Sequence, residues 1–327
     1  MKALFTWKEK EEVTIYKCHN HYCPHRIEKL NTLNQNEKQL REKRLSQFKI
    51  NYQYREYHYS PGDLKVAEPD KPKVDLKRIH NNKNIFALIL TLHISYSITA
   101  RKTAHMLRNI WNISVSHQTV LNYVQTAAYY CHKFNLNNKG EIDDIIAGDE
   151  TYVKVKGNWH FAWLFICSVS KKICGYHFSD NRGTKAAITT MLETVRTAKK
   201  DQHITLVNDG NPSYQAGIHF LNKLKNELKL TLKKVTGLQN LDNESEEYRP
   251  YKQMVERLNR TYKYHMQAQN GFANVSGALA KLVLFVTHYN FLRPHTALNY
   301  DTPIQMPELK NIDSLPGKWV KIISLAA

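Results

Sequence analysis

Three acids in this 327-residue chain stand where a carboxylate needs a reason. Asp149 lies in Ile145–Lys156, whose side chains alternate as in a β-strand, and shares parity with Ile145, Ala147, Thr151, Val153 and Val155. An unpaired charge on the apolar face of a strand is costly, and metal binding is one reason to keep it. Its neighbour Glu150 shares parity with Tyr152, Lys154 and Lys156, the wetter face. Asp209 ends the short apolar strand Ile204–Asn208 and precedes Gly210. Carboxyl ends of strands are where open α/β sheets place their sites, although an Asx turn uses the same Asp-Gly pair. Glu256 lies on a helix expected over about 252–268. At ~100° per residue, Val255, Leu258, Tyr262, His265 and Met266 form its apolar stripe. Glu256, Arg260, Lys263 and Gln267 form a narrow polar stripe beside it. A surface ion pair from Glu256 to Arg260 is the plainer use of that acid. Together, two or three carboxylates from separate elements can hold two Mg²⁺ (or Mn²⁺) ions roughly 3.5–4 Å apart, one serving the attacking and one the leaving oxygen of a phosphodiester. Magnesium suits that task because it takes carboxylate oxygens while keeping water and phosphate ligands.

A second cluster, Cys18, His19, His21, Cys23 and His25, lies near the N-terminus. Cys18 and Cys23 with His21 and His25 could supply a tetrahedral Zn²⁺ site. No second ligand knuckle is evident, and incidental crowding explains the cluster at least as well. Tyr52, Tyr54, Tyr57 and Tyr59, mixed with Arg55 and His58, read as a tyrosine-rich strand rather than a base-stacking platform.

The segments that must position these residues follow from charge and punctuation. Lys and Arg number 47 against 29 Asp and Glu, a formal charge of +18, so the partner is a polyanion, with nucleic acid the first expectation. An apolar run such as Phe86–Leu92 is too short for a membrane span, and no membrane partner is expected. Five cysteines in a long chain do not form a disulfide framework, and no secretory signal is visible, so a cytoplasmic setting follows. Prolines and charges at 61–75 read as a linker. The expected order is a small N-terminal module (1–60), the linker (61–75), a helical DNA-binding domain (76–136), an α/β catalytic domain (141–306) and a tail (307–327).

Residues 81–140 carry six Lys or Arg and no Asp or Glu. Ala104, Leu107, Ile110 and Trp111 recur at helical spacing after Thr99 or Thr103 as cap, and Val120, Leu121, Val124 and Ala128 recur after Ser116. Two short helices joined across Asn112–Ser114 make a helix-turn-helix. Its second helix would present His117, Gln118, Thr119 and Asn122 to base edges in a major groove. An ordinary helical hairpin has the same pattern; the absence of acids favours DNA binding.

From 141 onward the apolar period changes. Strands are expected at Ile145–Lys156, Trp159–Ser170 and Ile173–Phe178, with a hairpin turn at Gly157-Asn158. A helix (184–198), a strand (Ile204–Asn208), a helix (213–226), a strand (Leu228–Val235) and two long helices follow. The order β-β-β-α-β-α-β-α is that of a ribonuclease-H-like α/β domain with a mixed sheet.

Four segments then resemble one family in the correct order. Gly148-Asp149-Glu150-Thr151-Tyr152, Asn208-Asp209-Gly210 with Ser213-Tyr214, and Val255-Glu256-Arg257-Leu258-Asn259-Arg260 with Lys263 resemble the three catalytic segments of bacterial insertion-sequence transposases of the DDE type, in the retroviral-integrase superfamily. Tyr289–Leu298, which holds Arg293-Pro294-His295, is similar to the closing motif of that family. The resemblance implies Asp149, Asp209 and Glu256 as a metal-binding triad, with Lys263 on DNA near the scissile phosphate and Arg260 and Arg293 as further DNA contacts. It implies nicking at the element's ends and attack of the freed 3′-hydroxyl on target DNA, without a covalent protein–DNA intermediate. Double-stranded DNA, as terminal repeats and as target, would be the partner, and pairing two ends implies at least a homodimer at the bacterial nucleoid. A catalytically retired, DNA-binding relative and a hydrolase that stops at cutting are the rival readings. One spacing departs from the family: 46 residues separate Asp209 from Glu256, and the usual spacing falls on Glu244. Glu244 lies in an acidic, loop-like run (241–248), so an insertion before the catalytic helix is expected.

Overall fold

The computed structural model describes residues 5–10, 13–17, 20, 22–45, 54–57, 59–79, 82–224, 228–237 and 242–327. These form two compact units, one of residues 1–64 with 242–244 and one of the remainder. In the first, β1 (Phe5–Lys10), β2 (Val13–Lys17) and β3 (Tyr54–Tyr57) form an antiparallel sheet in that order. Between β2 and β3 lie α1 (Pro24–Asn31) and α2 (Gln35–Lys43). Asn34 starts α2 with a capping box, its side chain accepting from the Glu37 amide while Glu37 accepts from the Asn34 amide. Cys23 is buried. Cys18 and His21, and the side chain of His25, lie outside the described residues, so the zinc expectation falls there.

The second unit opens with the 65–75 segment, which is strapped down rather than free. The Ala67 amide donates to His177 Nδ1 at 3.0 Å, and the Lys73 and Val74 amides donate to Thr126 Oγ1. Then come α3 (Lys83–Leu90), extended by a π-turn at Thr91–Ser95, α4 (Ala100–Trp111) and α5 (His117–Asn137). Thr99 caps α4 by accepting from the Lys102 amide, and Asn112 ends it at φ +54. Ser116 caps α5 by accepting from the Thr119 amide. The expected helix pair is therefore present, but α5 runs 21 residues rather than being short. Its second half, with Cys131 and Phe134 buried, belongs to the main core. Ile110 and Trp111, expected on the buried stripe of α4, are exposed at 60% and 44%; Leu107 alone of that stripe is fully buried.

Next come β4 (Ile145–Val155), β5 (Asn158–Cys167), β6 (Ile173–Ser179), α6 (Thr184–Thr194), β7 (His203–Asn208), α7 (Pro212–Leu224), β8 (Lys229–Lys234), α8 (Asn243–Gln267), α9 (Val275–Thr287) and α10 (Leu315–Ala326). The sheet order is β6-β5-β4-β7-β8, antiparallel among β4, β5 and β6 and parallel from β4 to β7 to β8. This is the mixed, helix-covered sheet of a ribonuclease-H-like fold. The β4–β5 turn is Lys156-Gly157, one residue earlier than expected: both have positive φ (+49 and +83), which a two-residue type I′ hairpin requires. Residues 307–327 are no loose tail, because α10 buries Trp319, Ile322 and Ile323.

Helix α8 differs most from expectation. α8 begins at Asn243, so the acidic stretch from Asn243 through Tyr248 is its first turns and not a loop. Pro250 lies inside it and lacks the amide that a helix interior uses. Helix α9, with its π-turn His288–Leu292, is long and apolar enough to cross a membrane by length and composition, yet it is the buried central helix of this unit.

Candidate active site

Two of the three expected acids meet where β4 and β7 lie side by side. Gly148 precedes Asp149 because a Cβ there would stand 2.5 Å from the Phe165 ring; glycine lets β5 press against β4 beside the acid. Gly210 follows Asp209 with φ +86, and a Cβ there would collide with Lys234. The 208–213 segment is a chain of Asx turns. Asn208 Oδ1 accepts from the Gly210 amide, Asp209 Oδ1 from the Asn211 amide and Asn211 Oδ1 from the Ser213 amide. Asp209 thus makes the turn and still presents Oδ2, which accepts from Arg182 at 3.2 Å.

Asp149, Glu150 and Asp209 each offer a carboxylate oxygen, and these atoms all lie within 4.8 Å of one another. Burial raises the Asp149 carboxyl to about 6; the Glu150 and Asp209 charges push the same way and Lys252 pulls against them. Such a cluster calls for positive charge. Arg182 donates to both Glu150 and Asp209, and Lys252 Nζ lies 3.6 Å from Asp149 Oδ2. Three hard oxygen donors suit a divalent cation that prefers carboxylates.

The wetter-face reading of Glu150 does not hold. Glu150 is 7% exposed because α6 and α7 cover that face of the sheet, and alternation with solvent begins only at Tyr152. Its carboxylate accepts from Tyr214 Oη at 2.6 Å, from Asn211 Nδ2 at 3.3 Å and from Arg182. Tyr214 is fully buried, and burial together with Glu150 keeps its hydroxyl protonated well above the usual range. Glu150 therefore ties β4 to the loop that carries Asp209.

Glu256 is not among the clustered oxygens. It is half-buried on α8 between two residues that reach Asp149: Asn259 Nδ2 donates to Asp149 Oδ2 at 3.0 Å, and Lys252 faces the same oxygen. At ~100° per residue, Lys252, Glu256 and Asn259 fall within about 60° of one another. Among the described residues no ion pair joins Glu256 to Arg260, so the plainer use of this acid is not realised. Val255, Leu258, Tyr262 and His265 are buried as the apolar stripe requires.

Lys263 and Arg260 are exposed on α8 and line a cavity of about 570 Å³ with Tyr152, Lys154 and Tyr264. His117 and Gln118 are exposed at the start of α5, and Thr119 and Asn122 are half-buried. Gln118 Nε2 donates to Asn122 Oδ1 at 2.9 Å, so the polar groups expected to read bases are pre-aligned one turn apart. The closing motif is chiefly architectural. Asn290 clasps both backbone groups of Ile173 at the start of β6, and His295 and Arg293 both sit against the Tyr289 ring.

Sequence reasoning missed Glu150, Arg182, Lys252 and Asn259. Asn259 and Lys252 were legible in principle, since both share the helical face of Glu256. Arg182 comes from a turn with no periodicity to mark it.

This sheet order, with two carboxylates at the junction of its antiparallel and parallel halves, is that of a ribonuclease-H-like core. Residues 245–303 match the family model of the integrase core domain, a stretch that includes Glu256, Lys263 and the closing motif but neither Asp149 nor Asp209. Over that stretch the chain is similar to the integrase core domain family. No curated protein matches it. Among solved structures it is similar to the HTLV-2 integrase catalytic core domain in complex with magnesium, in its trimeric form, at 14% identity and TM-score 0.35, covering 50% of this chain and 96% of that one. It is also similar to a chain of the simian T-cell lymphotropic virus intasome in complex with the PP2A regulatory subunit B56 gamma, at 18% identity and TM-score 0.36, covering 69% and 77%. A third similarity, to the Mos1 strand transfer complex, has 9% identity and TM-score 0.24, covering 77% and 83%.

Proposed function

We propose that this protein is the transposase of a bacterial insertion sequence. It would nick DNA at the element's ends and join the freed 3′-hydroxyl to target DNA. The observation that carries this reading is the meeting of Asp149 and Asp209 under a helix face on which Lys252 and Asn259, both directed at Asp149, flank Glu256. Asp149, Asp209 and Glu256 would hold Mg²⁺ (or Mn²⁺), which when bound stabilises the charge developing on the reacting phosphate oxygens. Glu150, held by Tyr214 and Asn211, keeps the Asp209 loop against β4. Arg182 and Lys252 neutralise the carboxylates between reaction cycles.

In the first reaction water attacks the phosphorus at the element's end, and the bond to the 3′-oxygen breaks to leave a 3′-hydroxyl. In the second, that hydroxyl attacks a target phosphodiester and displaces a target 3′-oxygen. Neither reaction forms a bond to the protein. Lys263 and Arg260 would hold the backbone near the scissile phosphate. His117, Gln118, Thr119 and Asn122 would read the terminal repeats. Holding two ends together requires at least a dimer, acting at the nucleoid in the bacterial cytoplasm.

The test is an assay of nicking and joining on DNA carrying the element's ends, with and without Mg²⁺. Metal-dependent joining is expected. Equal nicking of arbitrary duplex without joining would instead indicate a hydrolase, and end-specific binding with neither reaction a retired transposase.

A further inference from the structure

A second cavity, of about 550 Å³, adjoins the one beside Lys154 and Tyr152 and shares Arg260 and Tyr264 of α8 with it. Arg260, His265, His288, Arg293, Tyr96 and Tyr264 stand around it, and no carboxylate lines it. It lies where two π-turns come together, Thr91–Ser95 contributing Ser95 and His288–Leu292 contributing His288 and Leu292. Single π-turns set into α-helices recur at functional sites.

The lining is short of anionic partners. Among the described residues neither Arg260 nor Arg293 pairs with an acid, and the Arg293 guanidinium lies over the Tyr289 ring, 5.6 Å from its centroid. His288 is 7% exposed, and its Nδ1 has no hydrogen-bond partner. A buried polar atom left unpaired in a native protein calls for an explanation. Burial, with the positive field of His265, Arg293, Lys281 and His295, holds the His288 imidazole neutral, at about 3. A neutral ring can still donate one N–H, and two guanidiniums supply charge. His265 is already committed through Nδ1 to Ser97 Oγ and the Ile94 carbonyl, which fixes the wall.

We propose that this cavity is a seat for a single phosphate group, clamped between Arg260 and Arg293 with His288 completing the donor set. The ligand is a phosphate oxyanion, either a backbone phosphodiester of bound DNA or a free phosphate. In the first case the seat rests on the DNA-acting reading above and fixes the register of the strand along α8. Lys263 in the first cavity then holds the backbone near the scissile phosphate, and the Arg260–Arg293 seat beside it fixes the register of the strand.

The test uses the full chain in EDTA, so that it is independent of the metal site. Binding to a short duplex is measured with single methylphosphonate substitutions scanned along one strand, for wild type, Arg293→Gln and Arg260→Gln, with folding checked by thermal melts. A DNA seat predicts one position where the neutral linkage weakens wild type several-fold but leaves Arg293→Gln unchanged. It also predicts a slope of log Kd against log salt that falls by about 1 in each variant. A seat for free phosphate predicts that millimolar inorganic phosphate raises the melting temperature of wild type and not of Arg293→Gln, at constant ionic strength. His288→Gln should weaken whichever ligand binds without changing the salt slope, since the ring is neutral. If no methylphosphonate position separates wild type from Arg293→Gln, and inorganic phosphate stabilises both equally, the seat does not exist. A wild type that binds no duplex but is stabilised by phosphate would overturn the DNA-acting reading and keep the seat.

Discussion

Lys252 Nζ lies 3.6 Å from Asp149 Oδ2, and both side chains are largely withdrawn from solvent, at 6% and 16% exposure. The ammonium comes from one helical turn ahead of Glu256, so a cation already occupies the electrostatic role at the sheet centre that a metal would take. Replacing it should expose that role. Lys252→Met is expected to unfold about 1–3 kcal/mol more easily in EDTA, because Asp149 loses the cation that offsets its burial. Added Mg²⁺ should raise the melting temperature of the variant more than that of wild type. Thermal melts with and without the metal check both statements.

Tyr214 tests the tie between the two acid-bearing segments. Tyr214→Phe removes the 2.6 Å donor to buried Glu150 and nothing else of the ring. A loss of about 1–3 kcal/mol in urea unfolding is expected, the cost of a buried acceptor left short of a partner. Nicking should fall with it, since the Asp209 loop is then held by Asn211 and Arg182 alone.

Lys281 gives a pH signature. It is fully buried in α9, donates to the His93 carbonyl at 2.5 Å, and burial lowers its ammonium to about 7. The unfolded chain keeps that proton to a pH near 10.5, so between about 7 and 10.5 unfolding takes up a proton and stability rises with pH. Below 7 both states are protonated and the contribution is flat. Lys281→Met should be more stable than wild type at pH 7, by a few kcal/mol at most, with the difference narrowing toward pH 10. Urea unfolding at a series of pH values measures it.

The polar start of α5 and the cations of α8 should fail differently. Asn122→Ala is expected to cost about 1–3 kcal/mol against the preferred end sequence and to relax discrimination there. Lys263→Ala should weaken every duplex alike and lower the salt slope by about 1. Competition between end-bearing and scrambled duplexes separates the two patterns.

Much of this was legible in the chain. The β-β-β-α-β-α-β-α order follows from the change of apolar period at 141, and the caps Thr99 and Ser116 start their helices as their side chains require. Parity grouped Asp149 with Ala147, Val153 and Val155, which are buried in the main core. Parity failed at Glu150, because its wet-face rule assumes one open side and this sheet is covered on both until Tyr152. The acidic run before Pro250 misled for a related reason: charge density and a proline read as loop, whereas Asn243–Gln267 is one helix. Ile110 and Trp111 kept helical spacing without burial, since periodicity marks a face and not what covers it. Arg182 was invisible because its role depends on carboxylates that only the tertiary fold brings near it.

In the proposed reaction Asp149 and Asp209, with Glu256, hold the metal that drives cutting and joining of DNA ends. The most direct measurement is strand transfer in Mg²⁺ on DNA carrying the element's ends, comparing wild type with Asp209→Asn, a variant that preserves the shape of the Asx turn. Loss of both nicking and joining by at least about 100-fold, with end binding retained, is the predicted result. Joining at the wild-type rate by Asp209→Asn would rule out a metal held by Asp209.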